Sequence, residues 1–230
     1  MILIGNKTIK DIRLYKGGLR NEFGDSVTTS FADKKLNAIT QRVVMKLREN
    51  GFSLGEFDHL YINFVPSHTV ENMYLSDDVD QYHPWYRNCF VPIDVDLYNN
   101  LRSVDSYNDI LHWISTVLVT YFSSDDFSEA HILSCIHQAV EQGEDMLMKF
   151  KEKVSTKRKA VVYLRFLDSC KFYPLLRVYD TEDNLLFETD LPETVMLDYL
   201  GDIQVSAKRV MVKPRKNAFT AKNNPLVFEY

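Results

Sequence analysis

Two periodicities run along the chain, and they separate its parts. Apolar residues at Ala32, Leu36, Ile39, Val43 and Leu47 keep the three-to-four spacing of one helix face. Ser30 and Asp33 stand where a capping box opens a helix. Asn50-Gly51 stands where a left-handed residue closes one. A helix is therefore expected over about 31–49. Ile110, Ile114, Val117, Leu118 and Tyr121 predict a second helix, about 106–122, which Leu111, Trp113 and Phe122 broaden into a largely apolar rod. After "SSDDFSE", the run Ile132, Ile136, Ala139, Val140, Gly143, Met146, Leu147, Phe150 and Val154 holds helical spacing and predicts a third helix over about 127–154.

Elsewhere the pattern alternates or runs apolar over short stretches, as strands do. "MILIG" and "IRLYK" read as two short strands near the start, with turns at Gly17-Gly18 and Gly24-Asp25. "FDHLYINFVP" (57–66) and "NCFVPID" (88–94) follow, the latter with Pro92 as an edge or bulge signal. Residues 67–88 have no clean period. Strands are expected at 159–168, 171–180 and 184–191, with "TEDN" as a hairpin turn. A short helix is expected from Pro192 to Gly201, then a last strand over 202–214, and a tail whose apolar end docks back. The sum predicts an α+β fold: a single mixed or mainly antiparallel sheet packed by about three main helices, forming one domain over 1–230. The 29 aromatic residues supply a large core and argue against disorder.

Charge sharpens the picture. The net −5 hides an uneven distribution. Residues 61–148 carry 14 acidic side chains against Arg87 and Arg102, a balance of −12 with no lysine at all. Residues 1–60 stand at +3 and residues 149–230 at +4. An acidic field of that size repels nucleic acid and favours a basic partner. Asp105, Asp109, Asp125, Asp126 and Glu129 fall near helix starts, where they complement the dipole, and removing those five still leaves −7.

Chemistry-bearing residues concentrate at 77–96, "DDVDQYHPWYRNCFVPIDVD". His83, Cys89, His131 and Cys135 are ligand types for zinc, but no pair has zinc-ribbon or HExxH spacing. His83 and Cys89 could meet as base and nucleophile, yet no oxyanion-forming signature accompanies them. Asp94 and Asp96, if both in a strand, would share a face and could hold a cation. No phosphate loop, dinucleotide fingerprint or kinase motif occurs. The basic runs "KEKVSTKRK" and "AKRVMVKPRK" do not make one stripe, because Lys208, Val210 and Val212 would share one strand face and Arg209, Met211 and Lys213 the other. What remains is recognition of a protein. Asp77, Asp78, Asp80, Tyr82, Trp85, Tyr86, Asp94 and Asp96 combine acids with aromatic anchors, the composition of an interface hot spot. Against this stands a loop whose Trp85 folds inward to cover the core.

The acidic run 77–80, the aromatics from Tyr82 to Phe90, and Asp94/Asp96 give the chain a likeness in style. It resembles immunity proteins of bacterial polymorphic-toxin and contact-dependent inhibition systems. The resemblance implies a cytosolic, non-enzymatic α+β protein that neutralises a basic toxin domain, with no cofactor. The alternatives carried forward are a metal-dependent or cysteine hydrolase using the 83–96 loop, and a phage or mobile-element accessory protein touching nucleic acid. Three widely spaced cysteines, Cys89, Cys135 and Cys170, and the lack of a long apolar run or leader-like start fit a reducing cytoplasm without a membrane span. A small-molecule substrate is not expected.

Overall fold

The computed structural model describes residues 7–20, 26–67, 72–217, 220 and 223–230. "MILIG" and the Gly24-Asp25 turn lie outside them. The chain forms two compact units, Met1–Glu141 and Gln142–Tyr230.

The first unit is built on a five-stranded sheet. Its strands are β1 (Asp11–Arg20), β2 (Ser26–Ser30), β3 (His59–Ser67), β4 (Tyr74–Leu75) and β5 (Tyr86–Asp94), in the order β2-β1-β3-β5-β4. The three central strands run parallel, while both edge strands pair antiparallel. Alternation places Ile12 and Leu14 of β1, Leu60, Ile62 and Phe64 of β3, and Cys89, Val91 and Ile93 of β5 in the core, each at most 5% exposed. Helix α1 (Lys34–Glu49) follows β2; α2 (Val95–Asn100), α3 (Tyr107–Phe122) and α4 (Glu129–Gln142) follow β5. Helix α3 buries Ile110, Ile114, Val117 and Leu118 as its spacing predicts.

The cap of α1 differs from the capping-box expectation. Asp33 itself is the N-cap, and its carboxylate accepts from the Leu36 amide at 2.8 Å. The helix ends as expected, with Asn50 as C-cap and Gly51 at φ 81°. Gly17-Gly18 is not a turn. It lies inside β1, where the β1–β2 register shifts between Lys16 and Leu19 and Gly18 takes φ 72°. A Cβ on Gly17 would stand 3.1 Å from Val65 Cγ1, so the bulge and the close strand contact both favour glycine.

The second unit holds two antiparallel sheets. The first is a meander of β6 (Met148–Val154), β7 (Lys159–Phe166), β8 (Phe172–Tyr179) and β9 (Leu185–Asp190). The second is β10 (Ile203–Val205), β11 (Arg209–Val212) and β12 (Leu226–Glu229). The expected single sheet with three helices is therefore corrected to three separate sheets of five, four and three strands, with four α-helices among the described residues.

The expected helix over 127–154 is also corrected. Gly143 at φ 53° and a 3-10 turn end α4, and the chain becomes β6, paired to β7 from Met148↔Leu164 to Val154↔Lys159. Phe150 and Val154 suit either period, and the β7 partner decides between them. The 192–201 segment forms only a 3-10 turn at Leu197–Tyr199, because Thr194 exchanges backbone hydrogen bonds with Phe172. The 202–214 strand divides into the hairpin β10–β11, and the tail docks on β11 as β12. The 181–184 hairpin turn forms as expected: the Asp180 carboxylate accepts from the Glu182 and Asn184 amides.

Candidate protein-recognition site

The loop from Ser76 to Trp85 is held by its own side chains, chiefly by Asp80. One carboxylate oxygen of Asp80 accepts from the backbone amides of Tyr82 and His83, both at 2.8 Å. The other accepts the Tyr86 hydroxyl at 3.1 Å, while the His83 ring approaches the first oxygen at 3.3 Å. The Tyr82 amide, with that of His83 and the Tyr86 hydroxyl, holds the carboxyl below its usual range. Asp80 is thus the organiser of the loop, while Asp77 and Asp78 are exposed and make no ion pair among the described residues.

Trp85 does not fold into the core. It stays 39% exposed, edge-on to His83 at 4.8 Å, and its carbonyl accepts the amides of Asp58 and His59 at 3.0 and 3.1 Å. Tyr82 is 80% exposed and Tyr74 54%. The loop therefore presents large aromatic faces on a hydrogen-bonded frame.

Behind it lies the sheet face opposite the Cys89–Ile93 side. Cross-strand register sets Arg13, Tyr61 and Asn88 in one row and Tyr15, Asn63 and Phe90 in the next. Tyr86 stacks on Tyr61 with centroids 4.4 Å apart and planes 15° off parallel. Tyr15 leans on Tyr61 at 5.5 Å, the Arg13 guanidinium lies 5.3 Å over the Tyr61 ring, and Tyr74 stacks on Phe90 at 5.0 Å. Burial raises the pKa of both Tyr61 and Tyr86, so both are neutral phenols at neutral pH. Of this group the sequence singled out Tyr86 and Phe90. Tyr15, Tyr61 and Tyr74 were missed because they reach the site only through strand pairing, although the polar half of each alternating strand was the available signal.

Asp58 and His59 were missed as well. The Asp58 side chain is 7% exposed, ion-paired to Lys10 Nζ at 2.6 Å and 2.5 Å from His59 Nδ1. Burial pushes its pKa up, but the bonds from Lys10 and His59 outweigh this and keep the carboxyl ionised. Their signal was the adjacent "DH" at the head of a strand.

The structure separates residues that the sequence grouped. Asp94 and Asp96 lie at the far end of β5 from Trp85, about 26 Å along a nine-residue strand. They do not share a strand face. Asp94 caps α2, accepting from the Asp96 amide at 2.7 Å, and Asp96 sits in the first helical turn. Cys89 is wholly buried and its thiol is pushed up to about 12, while His83 is in the exposed loop, so the base–nucleophile pairing considered above is not formed. Cys135 is buried with its thiol raised by burial, and His131 stacks flat on Phe127 at 4.1 Å. Among the described residues no group of three His, Cys, Asp or Glu side chains is placed to hold a metal.

The meander of the second unit gives a useful contrast. Its polar face also carries tyrosines, but each has its cation and acid alongside. Arg165 lies 4.2 Å over Tyr173 and pairs with Asp190; Arg177 lies 5.5 Å over Tyr163 and pairs with Glu188; Lys159 lies 5.0 Å over Tyr179 and pairs with Asp183. That face is satisfied by its own side chains. The 74–86 region has exposed aromatics and unpaired acids instead.

The chain matches no family model, no curated protein and no solved structure. Among the described residues no helix is long and apolar enough to cross a membrane.

Proposed function

We propose that the chain is a protein-binding module whose first unit grips a basic partner through Tyr74, Tyr82 and Trp85, with Asp77 and Asp78 setting the charge. The observation that carries this reading is the Asp80-organised loop, which holds Tyr82 and Trp85 in solvent. Rigid aromatic anchors lose little entropy on binding, and the exposed part of each ring offers apolar contact area. The exposed carboxylates speed encounter with a positive surface and set orientation. An immunity or inhibitor protein acting on a basic toxin domain is the role that this chemistry fits. Asp80 acts from behind as the organiser, and Asp94 and Asp96 fall outside the contact.

The test is affinity capture from the native cell, followed by titration of the purified partner at several salt concentrations. With a basic partner, the Tyr82→Ala/Trp85→Ala pair is expected to weaken binding by about 100-fold, the scale of two hot-spot truncations. Asp77→Asn/Asp78→Asn is expected to weaken it less and to flatten its salt dependence. An acidic partner, or binding that neither pair alters, would sink the proposal.

A further inference from the structure

A second feature of the first unit lies beside this surface and carries the opposite charge. The segment from Lys7 to Lys10 is stitched to the 52–58 loop by backbone hydrogen bonds: Lys7 N to Gly55 O at 2.7 Å, Ile9 N to Phe52 O at 3.0 Å and Lys10 N to Asp58 O at 2.7 Å. Ile9 is fully buried and anchors the segment, leaving Lys7, Thr8 and Lys10 exposed. The last turn of α1 brings Arg48 to the same place. Lys7, Thr8, Lys10 and Arg48 line one shallow depression, with the buried Asp58 carboxylate at its wall.

The charges there do not cancel. Asp58 accounts for Lys10, which it holds at 2.6 Å. Lys7 and Arg48 have no carboxylate partner, and the Thr8 hydroxyl no hydrogen bond, among the described residues. Three cations against one carboxylate leave a local balance of +2. That matches a phosphoryl group, which carries about −1.5 to −2 at neutral pH and three strong acceptor oxygens. Arg48 supplies a planar fork suited to two of those oxygens, and Lys7 a point charge. Thr8 also lines the adjoining depression, with Asn50, Ser53 and Ser124 on its walls, so a hydroxyl-bearing body attached to the phosphoryl group has polar neighbours to meet.

We propose that Lys7, Thr8, Lys10 and Arg48 form an anion site for the phosphoryl group of a hydroxyl-bearing ligand. No phosphate-loop motif marks it, because the cations come from an extended segment and a helix C-terminus that only the fold brings together. The site is independent of the aromatic surface: it uses none of Tyr74, Tyr82 and Trp85.

The test uses the whole chain at low ionic strength, with three probes: inorganic pyrophosphate, ribose 5-phosphate and vesicles containing a phosphorylated inositol lipid. The readouts are backbone amide shifts of residues 7–10 and 48 for the soluble probes and co-sedimentation for the vesicles, with sodium chloride at matched ionic strength as control. Saturable shifts at those amides are expected. The exposed-residue variant Lys7→Gln/Arg48→Gln is expected to weaken the response by about tenfold, while Lys10 is left in place so that Asp58 keeps its partner. Stronger response to ribose 5-phosphate than to pyrophosphate would assign the ligand to soluble hydroxylated phosphates, and response to vesicles alone would assign it to a lipid headgroup. No saturable response to any probe, or a response unchanged in the folded double variant, overturns the proposal.

Discussion

Asp58 illustrates how one buried carboxylate organises its surroundings. It joins Lys10 on the N-terminal segment to His59 at the head of β3, and its folded-state pKa is held below the ordinary value of about 3.9. For a depressed carboxylate the stabilisation is present above the unfolded-state pKa and is lost as pH falls through the folded-state value. Asp58→Asn is therefore expected to cost about 2 kcal/mol at pH 7 in denaturant unfolding, the scale of charge-assisted bonds lost in a buried place. The gap between variant and native protein should close below about pH 4. A gap that stayed constant down to pH 3 would mean that the ion pair contributes nothing. Gly201 makes a different point at the same scale. A Cβ there would lie 2.5 Å from the Pro214 carbonyl oxygen and 2.6 Å from that of Lys213, both backbone atoms that cannot swing away. Gly201→Ala is expected to destabilise the protein by about 2–3 kcal/mol through overpacking. At Gly51 a Cβ meets nothing within 4 Å, so Gly51→Ala should cost only the left-handed backbone penalty of about 1 kcal/mol. Urea unfolding of the two variants side by side checks the ranking.

Among elements, α1 and β6 stand at opposite ends of legibility. The Leu36, Val43 and Leu47 stripe is visible in the sequence because helix spacing is local, and all three are buried. Asp33 does two jobs there: it caps the helix at the Leu36 amide and accepts the Tyr107 hydroxyl from the start of α3. Asp33→Ala is expected to lower stability by about 1–2 kcal/mol, and Tyr107→Phe by less, since the cap survives in the second variant. Equal losses by thermal unfolding would place the whole effect in the tyrosine contact. Strand β6 was hidden because "MKFKEKV" satisfies a helical spacing as well as an alternating one. Its identity comes from pairing with β7, which no window on residues 148–154 contains. The polar β2 and two-residue β4 were illegible for the same reason: neither has an apolar signature of its own, and each exists as the partner of a stronger strand.

For the molecule as a whole, the count of charges along the chain pointed to the acidic middle third, and the fold then distributed it. Asp77 and Asp78 face solvent beside the aromatic anchors, Asp80 builds the loop, and Asp94 caps a helix a strand's length away. Of the ten basic residues among the first 60, Lys7, Lys10 and Arg48 meet at one depression. What the sequence by itself determined is what depends on near neighbours: α1 and α3, the β7–β8–β9 meander with its 181–184 turn, the apolar faces, and the lysine-free acidic segment with its aromatic company. Spacing, caps and turn residues act within a few positions, so they can be read in order along the chain. The tertiary structure alone decided that there are three sheets, that 148–154 is a strand, that Cys89 is sealed inside, and that Tyr15, Tyr61 and Tyr86 share a face. Each of those facts is set by hydrogen bonds and burial between residues tens of positions apart, and composition and local period carry no record of such pairings.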